Sequence, residues 1–275
     1  MIRHYESEYK ALLKRVIDHG EIRRGRNGTT KQLFGEVLRI ESLASNRFPI
    51  LTSRKLFYKG VLGELAAFLR GATLVEEFEK WGCNYWRANA EAWEYNEGKS
   101  LHGLYVGNIY GAKWRDFHGV DQLAELIARL KREPGSRRHV LTTYDPSETW
   151  QCLPPCHLLA QFNVVDFLDY IDCVVYMRSV DLVHGLPSDV ILYAALLALV
   201  AEQVDKAPGT LIFMLGDTHI YKNHLPLLDR YLDAEMHDLP KFELNPDATI
   251  DTFVPGDLFL YNYQHGERID FPFNV

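Results

Sequence analysis

HLLAQFNVVDFLDYIDCVVYMRSVDLVHGLPSDVILYAALLALVAEQV, residues 157–204, decides the fold. Its first part reads as two strands, 157–166 and 170–179, rich in β-branched and aromatic residues and joined by the short turn around FLDY. Residues 189–204 carry alanine and leucine all round, which marks a helix too apolar for a surface position and so the central helix of the core. Outward from this block, Tyr5, Tyr9, Leu12, Leu13 and Val16 recur at three- and four-residue steps, one face of a helix that ends near Gly20 and should pack outside the core. RRGRNGTTKQLFG, 23–35, reads as an irregular cationic loop able to hold an anion. Residues 59–71 and 121–133 read as helices, 137–144 as a strand, 209–217 as a buried strand, 219–232 as a helix and 258–263 as a late strand. The order is not a regular βαβ alternation, so the expectation is an α+β chain around a mixed sheet, with no repeat, low-complexity tract or linker to divide residues 1–275.

The 275 residues are 47% hydrophobic and 24% charged, enough for a large core. The formal net charge of −7 argues against broad binding to nucleic-acid phosphates but leaves room for a local cationic pocket. No stretch approaches the roughly 20 uninterrupted apolar residues of a membrane span, and MIRHYESEYKALLKR lacks the apolar block of a secretory signal, so a soluble cytoplasmic protein is expected. Cys83, Cys152, Cys156 and Cys173 form neither CxxC nor a metal spacing, so reduced thiols and no metal are expected.

Several residues stand out chemically. Cys156 in LPPCH follows a stiff proline pair and precedes a histidine, as a nucleophile would, although a buried structural thiol fits the same stretch. Glu64 is the only acid of an apolar helix, and a buried acid needs a reason. Arg26, the pair Arg137 and Arg138, and Arg178 with Ser179 are the donors a phosphate needs; a solvated turn accounts equally for the pair, whereas Arg178 ends an apolar strand where an unmatched charge is costly. In GDTHIY, His219 and Tyr221 point to one side if the extended geometry continues, as sugar readers or as packed core groups.

Taken in order, Arg26 with NGT, GELAAFLRG, IYGAKWR, GSRR, PPCH, RSVDLVHGLP, GDTHIY and a terminal valine resemble the blocks of the thymidylate synthase family over most of the chain. The resemblance implies one α+β domain on a large mixed sheet and a homodimer, sheets back to back, with shared active sites. It implies that Cys156 attacks ring carbon 6 of a pyrimidine nucleoside monophosphate, making carbon 5 nucleophilic toward 5,10-methylenetetrahydrofolate. Glu64 matches the general acid and base, with a pKa raised by its apolar helix. Tyr110 and His157 match groups that organise solvent and base, Asp181 the carboxylate on the pterin ring, Trp86 the aromatic wall beside it, Gly185 a folate-contacting position and Val275 the tail that closes the site. Arg26, Arg178 and Ser179 match phosphate ligands, Arg137 and Arg138 match those lent to the neighbouring subunit, and His219 with Tyr221 match the holders of the sugar's 3′-hydroxyl.

The departure is Asp189, where the family carries an asparagine that reads uracil. A carboxylate accepts cytosine's amino hydrogens and shares a proton with ring nitrogen 3, but faces uracil's carbonyl oxygen to oxygen. Asp189 also fits as an N-cap for the central helix. As a base reader it resembles the deoxycytidylate 5-hydroxymethylases, whose product suits modified DNA and some of which are virus-encoded. Asn89, His184 and Ser188, where the family places bulky apolar groups, invite water to the methylene group and so a hydroxymethyl product. Methylation of dCMP, thymidylate synthesis on dUMP and hydroxymethylation of CMP follow as alternatives. A catalytically idle nucleotide binder would not need Cys156 or Glu64.

Overall fold

The computed structural model describes residues 4–25, 27–97 and 104–273. The chain runs α1 (Tyr5–His19), β1 (Glu21–Gly25), β2 (Gly28–Ile40), α2 (Tyr58–Phe68), α3 (Val75–Glu79), α4 (Trp86–Glu97), α5 (Tyr110–Arg115), α6 (Gln122–Arg132), β3 (Val140–Thr142), β4 (His157–Val165), β5 (Tyr170–Asp181), α7 (Gly185–Gln203), β6 (Ala207–Tyr221), α8 (Leu225–Asp233), β7 (Lys241–Leu244) and β8 (Leu258–Tyr261). Six strands form one sheet in the order β1-β2-β6-β5-β4-β3, and β7 pairs β8 in a small second sheet. In the large sheet β5 and β6 are parallel, and every other neighbouring pair is antiparallel. This is the expected α+β arrangement around a mixed sheet, with flanking helices.

The parallel pair exists because α7 crosses over between β5 and β6, and that helix packs on both strands and on α2. From Val190 to Ala201 every α7 residue is buried. By length and composition α7 is long and apolar enough to cross a membrane, but 78% of it is buried inside the protein, where it fills the core against one face of the sheet. Leu38 and Ile40 of β2, Leu211, Phe213 and Leu215 of β6, and Cys173, Val175 and Met177 of β5 are at most 2% exposed on that face. Each such side chain contributes on the order of 1.5–3 kcal/mol. The alternating positions Val37, Tyr176 and Met214 lie exposed on the other face.

Three expectations need correction. The apolar stripe of α1 does not lie outside the core: Tyr5, Tyr9, Leu12, Leu13 and Val16 are at most 2% exposed. Residues 23–35 are not an irregular loop but an antiparallel hairpin, with Arg24 opposite Thr29 and Gly25 opposite Gly28. All of β1 is exposed, so no alternation of apolar and polar residues marked it as a strand. The helix expected from 219 begins at Leu225, because β6 continues through His219 to Tyr221, paired with β2 on one side and, up to His219, with β5 on the other.

Candidate active site

Strand register assembles the site. Because β4 is antiparallel to β5, its first residue, His157, lies opposite Met177, and the Arg178 amide donates to the Cys156 carbonyl at 2.8 Å. Because β5 and β6 are parallel, their ends advance together, with Ser179 opposite Asp217 and Asp181 opposite His219. The start of α7 follows directly, and α2 and α5 close the remaining sides.

Cys156 is half-buried, and its amide donates to the Tyr110 phenol oxygen at 2.9 Å. Burial pushes its thiol up, Arg178 opposes that shift and Asp189 adds to it. Arg178 Nη2 stands 4.0 Å from Sγ, while its guanidinium donates to the Pro155 carbonyl at 2.7 Å and the Pro154 carbonyl at 2.8 Å. Arg178 is therefore an exposed residue anchored by two carbonyls inside β5, not a buried charge at a strand end. The desolvation argument for an anionic partner fails, and its position beside Cys156 is what remains.

Glu64, 7% exposed, accepts from the Tyr85 phenol at 2.6 Å and from Trp86 Nε1 at 2.7 Å. Burial lifts its pKa to about 7 against the lowering effect of those two bonds. It can thus take or give a proton near neutrality. The folded chain keeps this proton to higher pH than the unfolded chain, so its contribution is favourable below pH 4.5 and is lost as pH rises to about 7. Glu64→Gln should recover roughly 3 kcal/mol relative to the wild type between acid and pH 8. Urea unfolding across that pH range checks this, and parallel curves for the two proteins would contradict it.

His157 is buried, stacked on Tyr110 with ring centroids 3.9 Å apart, and shares a 2.7 Å hydrogen bond with the Tyr193 hydroxyl through Nδ1. Burial lowers its pKa to about 3, so the ring is neutral. Its Nε2 lies 3.8 Å from Asp189 Oδ1. The Asp189 side chain is 17% exposed, and burial first, then Glu64 and Asp181, push its pKa well above the usual carboxylate range. Asp189 is not an N-cap: α7 starts at Gly185 with His184 before it, which leaves Asp189 inside the helix. A Cβ on Gly185 would lie 3.8 Å from both Asp189 Oδ2 and Asp181 Cβ, so Gly185 sits between these two side chains at ordinary contact distance.

Asp181 accepts from the Val183 amide at 2.8 Å. On β6, His219 Nδ1 is 2.9 Å from Asp217 Oδ1 and its ring is edge-on to Tyr221, so the two share a face as expected. His184 Nε2 donates to the Pro272 carbonyl at 3.2 Å, Ser188 Oγ donates to the His184 carbonyl at 3.0 Å, and Asn89 is half-buried on α4. Arg26 and Val275 lie outside the described residues.

Arg137 and Arg138 do not join this site. They occupy the exposed turn before β3, and since Val140 pairs with Gln161, Arg138 falls level with Asn163, about 20 Å along β4 from Cys156 at ~3.3 Å per residue. Two phenols at the centre went unread in the sequence. Tyr193 was legible, four residues after Asp189 on one helix face. Tyr85 reaches Glu64 across a turn with no periodic spacing to reveal it. Among the described residues no cluster of His, Cys, Asp or Glu could hold a metal, and all four cysteines are free.

The family described as thymidylate synthase matches residues 7–275. The chain belongs to the thymidylate synthase family. It is 37% identical to "Thymidylate synthase 1/2" of Encephalitozoon cuniculi over 89% of its own length and 87% of that protein. It is 39% identical to the thymidylate synthase of Enterobacteria phage T4, over 84% and 82% of the two chains. A bifunctional dihydrofolate reductase-thymidylate synthase of Glycine max, 35% identical, is matched over 99% of the present chain and 54% of its own length, so the chain spans about half of that relative. Thymidylate synthases are one-carbon transferases that use methylenetetrahydrofolate as co-substrate. These relatives carry the synthase name, not that of the cytidylate hydroxymethylase branch.

Proposed function

We propose that this chain transfers a one-carbon unit from 5,10-methylenetetrahydrofolate to carbon 5 of dCMP, with hydroxymethyl-dCMP as product. The observation that carries this reading is Asp189, enclosed beside neutral His157 with its pKa raised well above the usual range. Held as the acid, it presents one O–H donor and one carbonyl acceptor. The acceptor takes cytosine's amino hydrogen and the donor meets ring nitrogen 3, a far stronger base than uracil's carbonyl oxygen. As the Cys156 thiolate adds to carbon 6, nitrogen 3 takes up the Asp189 proton and neutralises the developing negative charge. With uracil the same O–H meets only oxygen 4, too weak a base to take up the Asp189 proton as the thiolate adds.

The remaining roles follow the family. Glu64 moves protons on the ring and the folate at a pKa near 7. Asp181, Gly185 and Trp86 receive the folate, and Val275 closes over it. Arg26, Arg178 and Ser179 hold the phosphate, and His219 with Tyr221 hold the deoxyribose. Arg137 and Arg138, too distant to serve their own Cys156, complete the site of a second subunit, and the exposed apolar face of Val37, Tyr176 and Met214 suits the pairing of two sheets. The nucleotide, the folate and a second copy of the chain are then the partners, with no role for nucleic acid or membrane, and the cytoplasm is the place where those substrates meet.

Hydroxymethylation rests on the polar residues Asn89, His184 and Ser188, which favour water over hydride at the exocyclic methylene. Methylation of dCMP is the second reading, because the His184 and Ser188 donors are already engaged by protein carbonyls. Mass spectrometry of the nucleotide made from dCMP and methylenetetrahydrofolate decides between them. A hydroxymethyl adduct with tetrahydrofolate is expected, and 5-methyl-dCMP with dihydrofolate would overturn the product.

A further inference from the structure

Behind α5 lies a set of charges that the proposed chemistry does not use. Lys113 Nζ stands 3.0 Å from Asp145 Oδ2 and 2.6 Å from Glu148 Oε2, with side-chain exposures of 8%, 5% and 11%. Burial works against the ammonium, but the bonds from Glu148 and Asp145 outweigh it and hold the Lys113 pKa above its ordinary value. Glu148 also accepts from Asn108 Nδ2 at 3.0 Å and from the Trp150 amide at 2.8 Å, and His118 Nε2 lies 3.1 Å from Asp145 Oδ2. A buried ionic group seldom repays its desolvation as stability alone.

What this triad joins gives it a purpose. Asp145 and Glu148 lie on the loop that runs to Cys156, and Lys113 is three residues after Tyr110, whose phenol accepts the Cys156 amide. The same loop is stitched to the segment before α5: the Asn108 amide donates to the Trp150 carbonyl at 2.9 Å, and a Cβ on Gly107 (φ +78°) would collide with that carbonyl. On the other side α5 presses on α2, where a Cβ on Gly111 would strike the Phe68 backbone. Tyr110 itself takes a φ of +21°, a conformation that a non-glycine residue keeps only when its surroundings impose it.

We propose that Lys113 is a positioning residue for the nucleophile: its buried ion triad with Asp145 and Glu148 clamps the loop that delivers Cys156 against the helix that carries Tyr110. The inference rests on Cys156 as the nucleophile and is independent of which pyrimidine is processed. Charged or titratable groups facing Cys156 are Arg178 from β5, Asp189 from α7 and Tyr110 from α5, and of these Arg178 and Tyr110 favour the thiolate. Loosening α5 therefore weakens thiolate formation through Tyr110.

The test measures iodoacetamide labelling of Cys156 against pH in the full-length protein, with Cys156→Ala as background. Lys113→Met should slow labelling at neutral pH about threefold or more and move its pH midpoint upward. It should lower kcat about tenfold at unchanged nucleotide affinity, and Lys113→Arg, which keeps both ion pairs, should restore much of each loss. If Lys113→Met does not fold, Glu148→Gln, which leaves the Lys113 to Asp145 pair, should shift both readouts in the same direction by less. A folded variant with a lower Tm but an unchanged labelling profile and kcat would make the triad structural only and overturn the proposal. Failure of the dCMP reading would leave the labelling result standing.

Discussion

Cys156→Ala should lose turnover by at least about 10³-fold while still binding the nucleotide, because the thiol is the group that adds to ring carbon 6. Single-turnover assays and nucleotide titration by calorimetry check the two halves. The surrounding geometry predicts that binding survives: Arg178 is held by the Pro154 and Pro155 carbonyls rather than by the thiol, and Asp189 by its place within α7. Residual turnover within tenfold of the wild type would remove Cys156 from the chemistry. The same variant tests the shared site. Mixed with Arg138→Ala, it should regain part of the activity, since one of the two sites in a mixed dimer then has both its own Cys156 and a partner's intact Arg138. A mixture as inactive as its parts would contradict a dimer that exchanges these arginines.

The second large effect belongs to Asp189→Asn. An amide fits the same space but fixes its donor on nitrogen, so it can no longer give a proton to ring nitrogen 3 of cytosine. It offers instead a permanent donor to uracil's oxygen 4 and an acceptor for its N–H. Without that proton the negative charge that develops on cytosine as the thiolate adds stays unneutralised in an enclosed site, so the ratio of kcat/KM for dUMP over dCMP should rise by about 10²-fold or more. Stability should change little, because Asp189 caps nothing and its carboxyl is already pushed toward the neutral form by burial. Equal ratios in the two proteins would mean that base selection lies elsewhere.

Much of the architecture was legible because burial imposes pattern. The apolar run of 189–204 announced a core helix, and the β-branched and aromatic residues of 157–179 on either side of FLDY announced a hairpin of its sheet. The β1 and β2 hairpin was not, since an all-exposed strand has no buried face to impose alternation. The short helix α5 escaped for a related reason: six residues give too few turns for a period, and its tight packing at Gly111 leaves no trace in residue type. The start of α7 was misplaced by four residues, because His184, Gly185 and Pro187 read as a turn when the tertiary structure holds them in a helix.

The candidate site divides in the same way. Resemblance pointed to Cys156, Glu64, Tyr110, His157, Asp181 and Asp189, and the fold brings their elements together. Their chemical states came only from packing: Glu64 near pKa 7, His157 neutral and the Cys156 thiol raised are consequences of enclosure. Burial is the largest influence on the Cys156 thiol, and Arg178 opposes it. Arg137 and Arg138, read as a solvated turn or as lent to a neighbouring subunit, lie away from the cysteine of their own chain because of their register along β4.

The most direct test of base selection is competition in one vessel. The purified protein is given methylenetetrahydrofolate with equal dCMP and dUMP, and both nucleotides are followed by mass spectrometry. Asp189 as base reader requires modified dCMP to accumulate while dUMP stays unchanged until dCMP is nearly spent. Thymidylate forming first, with dCMP untouched, would contradict the account and return the chain to the activity its relatives are named for.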